Sequence, residues 1–339
     1  MSEEGIESIN KEKIDLDVIA DIIDKLKEAK TAVLKQSFNN IKKYGIKPVN
    51  NMERYKLEIN QPRLKTGTLI DKMLGGGLPP TKSMLLYGAP ATGKSEITTT
   101  MAATCSDVIV YIDAENSFSF PRLKQICDER EIDFQMVMDK LILYQPVDWI
   151  ELMFLLYDLP SPADVGKIEL IVLDSVTKHF RGLEFAGRGE LSIKQPMIRE
   201  IPLHLKYIAK DYNCAFILTT QVYQKPVTQS YLPEWSSYQA VGGVGLEHQT
   251  TYNLLLRHGS NPVIQIARLT DADDVPLSEE PFVITAAGVE ELPDSKKAEE
   301  MIKKAEKYQK KNESCLEDSK KEKKEKVEDA IAETSTSTQ

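Results

Sequence analysis

The stretch Gly88-Ala89-Pro90-Ala91-Thr92-Gly93-Lys94-Ser95 constrains this chain more than any other, because it has the G-x-x-x-x-G-K-[ST] form of a phosphate-binding loop. Glycines let the backbone curl so that successive N–H groups face an anion. The Lys94 ammonium reaches the outer phosphates, and the Ser95 hydroxyl takes a place on Mg²⁺. The flanks suit this use. Met84–Tyr87 is an apolar run that predicts a buried strand, and Glu96, Ile97, Met101 and Ala102 have helical spacing after the loop. A helix starting there adds its positive end to the anion site. The expected ligands are ATP and Mg²⁺, with Gly88 to Ser95 as the cradle.

Such a loop needs a sizeable sheet around it, and 339 residues supply one core with appendages. The net charge of −9 excludes a polycation drawn to nucleic acid as a whole, so any such binding must come from local loops. Cys105, Cys127, Cys214 and Cys315 include no C-x-x-C pair, which fits reduced thiols better than disulfides or zinc. No apolar run approaches the ~18 residues that span a bilayer. A cytoplasmic protein with no membrane association is expected.

Three regions are expected. Over residues 1–60, Ile19, Ile22, Ile23, Leu26, Val33, Leu34, Phe38 and Ile41 recur at helical spacing, and Pro48–Asn51 marks a linker. This segment is a helical cap on its own core or a partner-binding helix. Residues 61–293 alternate strands and helices. Strands are predicted at Met84–Tyr87, Val108–Asp113, Leu141–Tyr144, Leu170–Asp174, Ala215–Thr220, Tyr252–Arg257, Ile264–Leu269 and Phe282–Thr285. The early ones are continuous apolar runs, as in a mostly parallel α/β sheet covered on both faces, and the later ones suggest an antiparallel extension. Residues 294–339 are rich in lysine and acid with balanced signs, which predicts a solvated helix fraying into a disordered tail.

The remaining chemistry is predicted at strand ends. Leu170-Ile171-Val172-Leu173 delivers Asp174 to the carboxyl end of a buried strand, where a second metal ligand beside Ser95 is needed. Tyr111-Ile112-Asp113-Ala114-Glu115 ends another, and Glu115 is the candidate to orient the attacking water, unless it caps a following helix. Gln221, after Thr219-Thr220, is placed to sense the γ-phosphate, or is an ordinary loop residue. Two long loops carry cations and aromatics of the kind that hold single-stranded nucleic acid: Phe180–Lys194 with Arg181, Arg188 and Lys194, and Val222–Gly245 with Lys225, Tyr231 and Trp235.

Together these motifs resemble the RecA/RadA recombinase family, most closely the archaeal RadA branch or one of its paralogues. The resemblance runs from about Lys65 to Leu292. It includes Thr66-Gly67, Leu74-Gly75-Gly76-Gly77, the phosphate loop, Leu173-Asp174-Ser175 and Gly187-Arg188-Gly189-Glu190-Leu191-Ser192. It implies a RecA-like P-loop ATPase core and an ATP-dependent DNA-binding role in homologous recombination and DNA repair. By the same resemblance Glu115 matches the catalytic glutamate, Gln221 the sensor and Arg188 a DNA contact. Expected partners are single-stranded DNA and a RadA-type recombinase or another paralogue. The departures matter too. Lys194 stands where the family usually has arginine, the N-terminal segment lacks a clear helix-hairpin-helix signature, and no phenylalanine has alanine three positions later, the family's Phe-x-x-Ala polymerisation motif. Limited self-association and an accessory role are therefore expected, ahead of the strand-exchange recombinase itself. A RecA-fold regulatory ATPase of the KaiC-like kind, acting on protein partners, is the reading from another class.

Overall fold

The apolar runs build one sheet. In the computed structural model the described residues are 50–181, 190–224, 237–293 and 297–312. Strands β1 (Ser83–Gly88), β2 (Val108–Asp113), β3 (Leu141–Tyr144), β4 (Ile168–Asp174), β5 (Ala215–Thr220), β8 (Tyr252–His258), β9 (Ile264–Ala272), β10 (Glu279–Thr285) and β11 (Gly288–Glu291) make a nine-stranded sheet. Its order is β11-β10-β9-β8-β1-β5-β4-β2-β3. From β8 to β3 every pairing is parallel, and β9, β10 and β11 extend the edge antiparallel. The eight predicted strands are all there, some a few residues longer. Parallel strands share one carboxyl edge, and in open α/β sheets that edge is where ligands collect.

Both faces are covered, which is why β1 and β5 are buried at all six positions each. Helices α3 (Lys94–Thr104), α4 (Phe120–Glu129) and α5 (Phe134–Lys140) lie on one face. There Ile97, Met101, Leu123 and Ile126 share a core with Leu86, Tyr111, Val172 and Leu256. The alternate strand residues face α6 (Trp149–Tyr157) and α9 (Glu190–Tyr212), which pack on each other and contribute buried Trp149, Leu152, Ile201 and Leu205. Helix α2 (Ile70–Met73) opens the core, and Asp71 pins the turn before it by accepting from the Thr66 N–H (2.8 Å), the Thr66 hydroxyl (2.9 Å) and the Gly67 N–H (3.1 Å).

Three local expectations are corrected. The stretch Val222–Gly245 is not one long loop: β6 (Val222–Gln224) and β7 (Tyr238–Ala240) pair antiparallel as a hairpin, followed by short α10 (Val244–Glu247). Phe180–Lys194 is likewise shortened at both ends, because α8 (Lys178–Arg181) runs into it and α9 begins at Glu190. Residues 297–312 form a helix, α11, that is not merely solvated: Ala305 is fully buried with Val263 and Val283, and Met301 and Ile302 pack beside them. The apolar cluster Met301, Ile302 and Ala305 was masked in the sequence by the density of lysine and glutamate. Small α7 (Pro162–Val165) completes the set within Gln61–Gln339.

Met1–Asn60 forms a separate unit. Its described part is helix α1 (Asn51–Asn60), which begins where the linker was predicted, and the Asn50 side chain accepts from the Met52 N–H at 3.1 Å. Met52, Tyr55 and Ile59 stand exposed along α1. The predicted helical stretch Ile19–Ile41 lies outside the described residues.

Candidate nucleotide site

The phosphate loop joins β1 to α3 and its glycines are dictated by space. A Cβ on Gly88 would stand 2.4 Å from the Leu256 carbonyl oxygen, and Gly93 adopts φ +94° at the N-cap of α3. No side chain caps that helix, so its first N–H groups face the loop and are suited to an anion. Thr92 steadies the turn by donating to the Ala89 carbonyl at 2.8 Å. Lys94 Nζ donates to the carbonyls of Gly88 (2.9 Å) and Ala89 (2.8 Å), which holds the ammonium over the cradle.

Asp174 ends β4, two strands from β1, with its carboxylate buried. It accepts hydrogen bonds from Thr219 at the end of β5 and from Tyr111 in β2 (3.2 Å), and the Ser95 hydroxyl at the start of α3 is a neighbouring donor. Burial raises the Asp174 pKa above the usual carboxylate value, these three donors lower it, and the nearby charge of Glu115 raises it further. The expected metal pair Ser95 and Asp174 are thus neighbours at this strand end. An exposed serine hydroxyl beside a buried, donor-lined carboxylate is an oxygen set suited to Mg²⁺.

Glu115 follows β2, half-buried, and its N–H donates to the Asp174 carbonyl at 3.3 Å. It caps no helix: Ser119 caps α4 by accepting from Arg122 N at 3.3 Å. The neighbouring Asp113 is committed to the turn, accepting from the N–H groups of Ser117 (3.1 Å) and Phe118 (2.8 Å) and from Gln145 (3.0 Å). Of the two carboxylates at this strand end, Asp113 is the one that holds the turn. Gln221 directly follows β5, and its carbonyl accepts from Val241 N at 2.8 Å, which anchors the root of the β6–β7 hairpin. A cavity of about 340 Å³ lies between the phosphate loop and this hairpin, lined by Ala89, Val222, Tyr238, Leu255, Arg257 and His258. The paired strands β6 and β7 are therefore tied to the edge that holds the loop.

Of the predicted DNA contacts, Arg188, Lys225, Tyr231 and Trp235 lie outside the described residues, as do the side chains of Arg181 and Lys194. Their roots are placed: Arg181 ends α8 after β4, Lys194 is in the first turns of α9, and the hairpin follows β5. Because β4 and β5 are adjacent, both segments spring from the same part of the edge. The sequence reading missed Tyr111, Thr98 and Thr219 as supports of Asp174. The signal was a hydroxyl inside the apolar run Val-Ile-Val-Tyr-Ile, since a buried phenol needs a partner.

Sheet order, uncapped loop and paired Ser95–Asp174 define a phosphate-loop α/β protein with a RecA-like core. The chain belongs to the Rad51 family: the family model described as Rad51 matches residues 60–292. It is 29% identical over 281 residues to the mouse (Mus musculus) meiotic recombination protein DMC1/LIM15 homolog, covering 79% of this chain and 78% of that one. It is 28% identical over 281 residues to the Saccharomyces cerevisiae meiotic recombination protein DMC1, covering 79% and 82%. The crystal structure of the RadB recombinase superposes with a TM-score of 0.56 at 27% identity, over 68% of this chain and 100% of that one.

Proposed function

We propose that this chain is an ATP-dependent DNA-binding protein of homologous recombination and DNA repair, an accessory member of its family that assists or regulates a recombinase on single-stranded DNA. The observation that carries this reading is the convergence at one sheet edge of the phosphate loop, Ser95–Asp174, Glu115, Gln221 and the roots of both loop segments. The names of its relatives, recombination proteins and a recombinase, support the same setting.

In this reading the loop N–H groups and Lys94 bind and orient the triphosphate of ATP. Ser95 and Asp174 hold Mg²⁺, which when bound neutralises charge on the phosphate oxygens. Glu115 orients a water for in-line attack and draws its proton. Gln221 reports the state of the outer phosphate to the hairpin it anchors, so that single-stranded DNA is gripped or released with the nucleotide. Arg181, Arg188, Lys194 and Lys225 supply phosphate contacts, and Tyr231 and Trp235 supply stacking.

The accessory role rests on the absence of a Phe-x-x-Ala motif and on Lys194 in place of a forked guanidinium. Without an aromatic anchor, each junction between copies loses a contact typically worth 2 kcal/mol or more. The strand-exchange recombinase itself is the second reading, favoured by the match to most of the length of DMC1. Light scattering and electron microscopy of the purified protein with ATP and single-stranded DNA separate the two. The accessory reading expects a monomer or small oligomer, and regular filaments of this chain alone would establish the recombinase reading instead.

A further inference from the structure

Helix α11 lies beyond the residues 60–292 that match the family model, yet it packs on the antiparallel end of the sheet and reaches Arg122. Ala305 is its buried foot beside Val263 and Val283. Three residues on, Tyr308 lays its ring over the guanidinium of Arg122, with Cζ 4.7 Å from the ring centroid.

Arg122 is a fixed plate. Its Nε and one Nη donate to the Glu96 carboxylate (2.9–3.2 Å), and that same Nη donates to the Thr285 carbonyl at 2.6 Å. The other Nη donates to Gln125 Oε1 (2.7 Å) and the Ala286 carbonyl (3.0 Å). With its in-plane N–H groups all engaged, the guanidinium offers only its faces, and a face of this kind binds an aromatic ring. Tyr308 takes one.

The plate also stands at a particular place. Glu96 follows Ser95 in the first turn of α3, so Arg122 is tied directly to the end of the phosphate loop. Asp174, Glu115 and Gln221 all lie on the β5–β4–β2 side of β1, which sets the direction of the reacting phosphate. The nucleoside then leaves toward the opposite side. There a Cβ on Gly93 would meet Ile284 at 3.2 Å and Phe282 at 3.3 Å, and the β10–β11 turn holds Arg122 through Thr285 and Ala286.

We propose that α11 is a built-in cover of the nucleobase end of the site. The Tyr308 ring occupies the face of Arg122 on which the base of ADP or ATP stacks, and it gives way when that base binds. The proposal rests on the nucleotide reading above. It makes the helix a restraint on nucleotide affinity, and it couples the position of residues 297–312 to nucleotide occupancy.

The test is a calorimetric titration of the full chain in Mg²⁺ with ADP and, separately, with pyrophosphate, which has phosphates and no base. Tyr308→Ala should bind ADP about two- to fivefold more tightly than wild type, the ratio expected for losing one cation–π competitor at a half-exposed site. Its affinity for pyrophosphate should equal that of wild type, and Tyr308→Phe should match wild type for both. In hydrogen exchange, ADP should speed exchange of residues 297–312 and pyrophosphate should not. ADP binding to Tyr308→Ala no tighter than to wild type, or an equal gain with pyrophosphate, would overturn the proposal. So would slower or unchanged exchange of α11 with ADP. A wild-type chain that binds neither compound would defeat the nucleotide reading itself, and this inference with it.

Discussion

Tyr111 and Asp174 are hydrogen-bonded across adjacent strands β2 and β4, the phenol donating to Asp174 Oδ2 at 3.2 Å. The same phenol oxygen lies 2.8 Å from the Thr98 hydroxyl, one turn into the helix that Ser95 begins. Burial first, and then the charge of Asp174, push the Tyr111 pKa well above its ordinary value, so the phenol keeps its proton throughout the working range. Tyr111 therefore fixes the carboxylate relative to the phosphate-loop helix.

Tyr111→Phe removes that donor with little change in volume. The folded protein should lose about 1–2 kcal/mol, seen as a melting temperature lower by a few degrees. Mg²⁺-dependent ATP affinity should fall about 3- to 10-fold while Mg²⁺-free binding stays near wild type. An isothermal titration with and without Mg²⁺ checks it, and equal losses in both would mean Tyr111 acts on the fold alone.

Lys94→Ala and Glu115→Gln should differ in kind. Removing the ammonium takes away charge that binds the ground state, so nucleotide affinity and turnover fall together. Glu115→Gln keeps the shape and loses only the charge of the group proposed to orient water. Binding should stay within about twofold, and turnover should fall about 10²-fold or more. Phosphate release measured beside nucleotide binding separates the outcomes. ATP affinity collapsing in Glu115→Gln would remove Glu115 from its role.

Most of this site was legible in the sequence because each part follows a short rule. A buried apolar run must end somewhere, and Leu170–Asp174 and Ala215–Thr220 end at the parallel edge where ligands gather. The loop carries its own glycine spacing. What escaped depends on contacts between distant segments. The β6–β7 pairing joins residues that at least thirteen intervening positions separate, and its three-residue strands give no periodicity to read. The buried foot of α11 is a single alanine among charges, visible only once Val263 and Val283 are in place. Asp113 and Glu115 could be told apart only when the turn showed which carboxylate it used.

Two histidines make stability pH-dependent. His204 packs at a tilt against Tyr157 (ring centroids 4.3 Å apart) and its Nε2 is 2.8 Å from the Leu156 carbonyl. Burial lowers the folded-state pKa of both His204 and His179 below 6.5. Between that lowered value and 6.5 the unfolded chain binds more protons than the folded one, so stability is complete above 6.5 and declines as pH falls through the window. Melting temperature should drop from pH 7.5 to 5.5, and His204→Gln should drop less over the same interval. An identical slope in the variant would place the titration elsewhere.

The claim that ATP binding at the phosphate loop controls a grip on single-stranded DNA has one direct test. Fluorescence anisotropy of a labelled oligothymidylate should be followed at several salt concentrations, with and without ATP and Mg²⁺, for wild type, Lys94→Ala and Arg188→Ala. Wild type should bind more tightly with ATP, with a logarithmic salt slope matching roughly two to four phosphates. Lys94→Ala should lose the ATP effect, and Arg188→Ala should bind more weakly with a slope shallower by about one phosphate. Binding that is the same with and without ATP, or that is unchanged in both variants, would contradict the account.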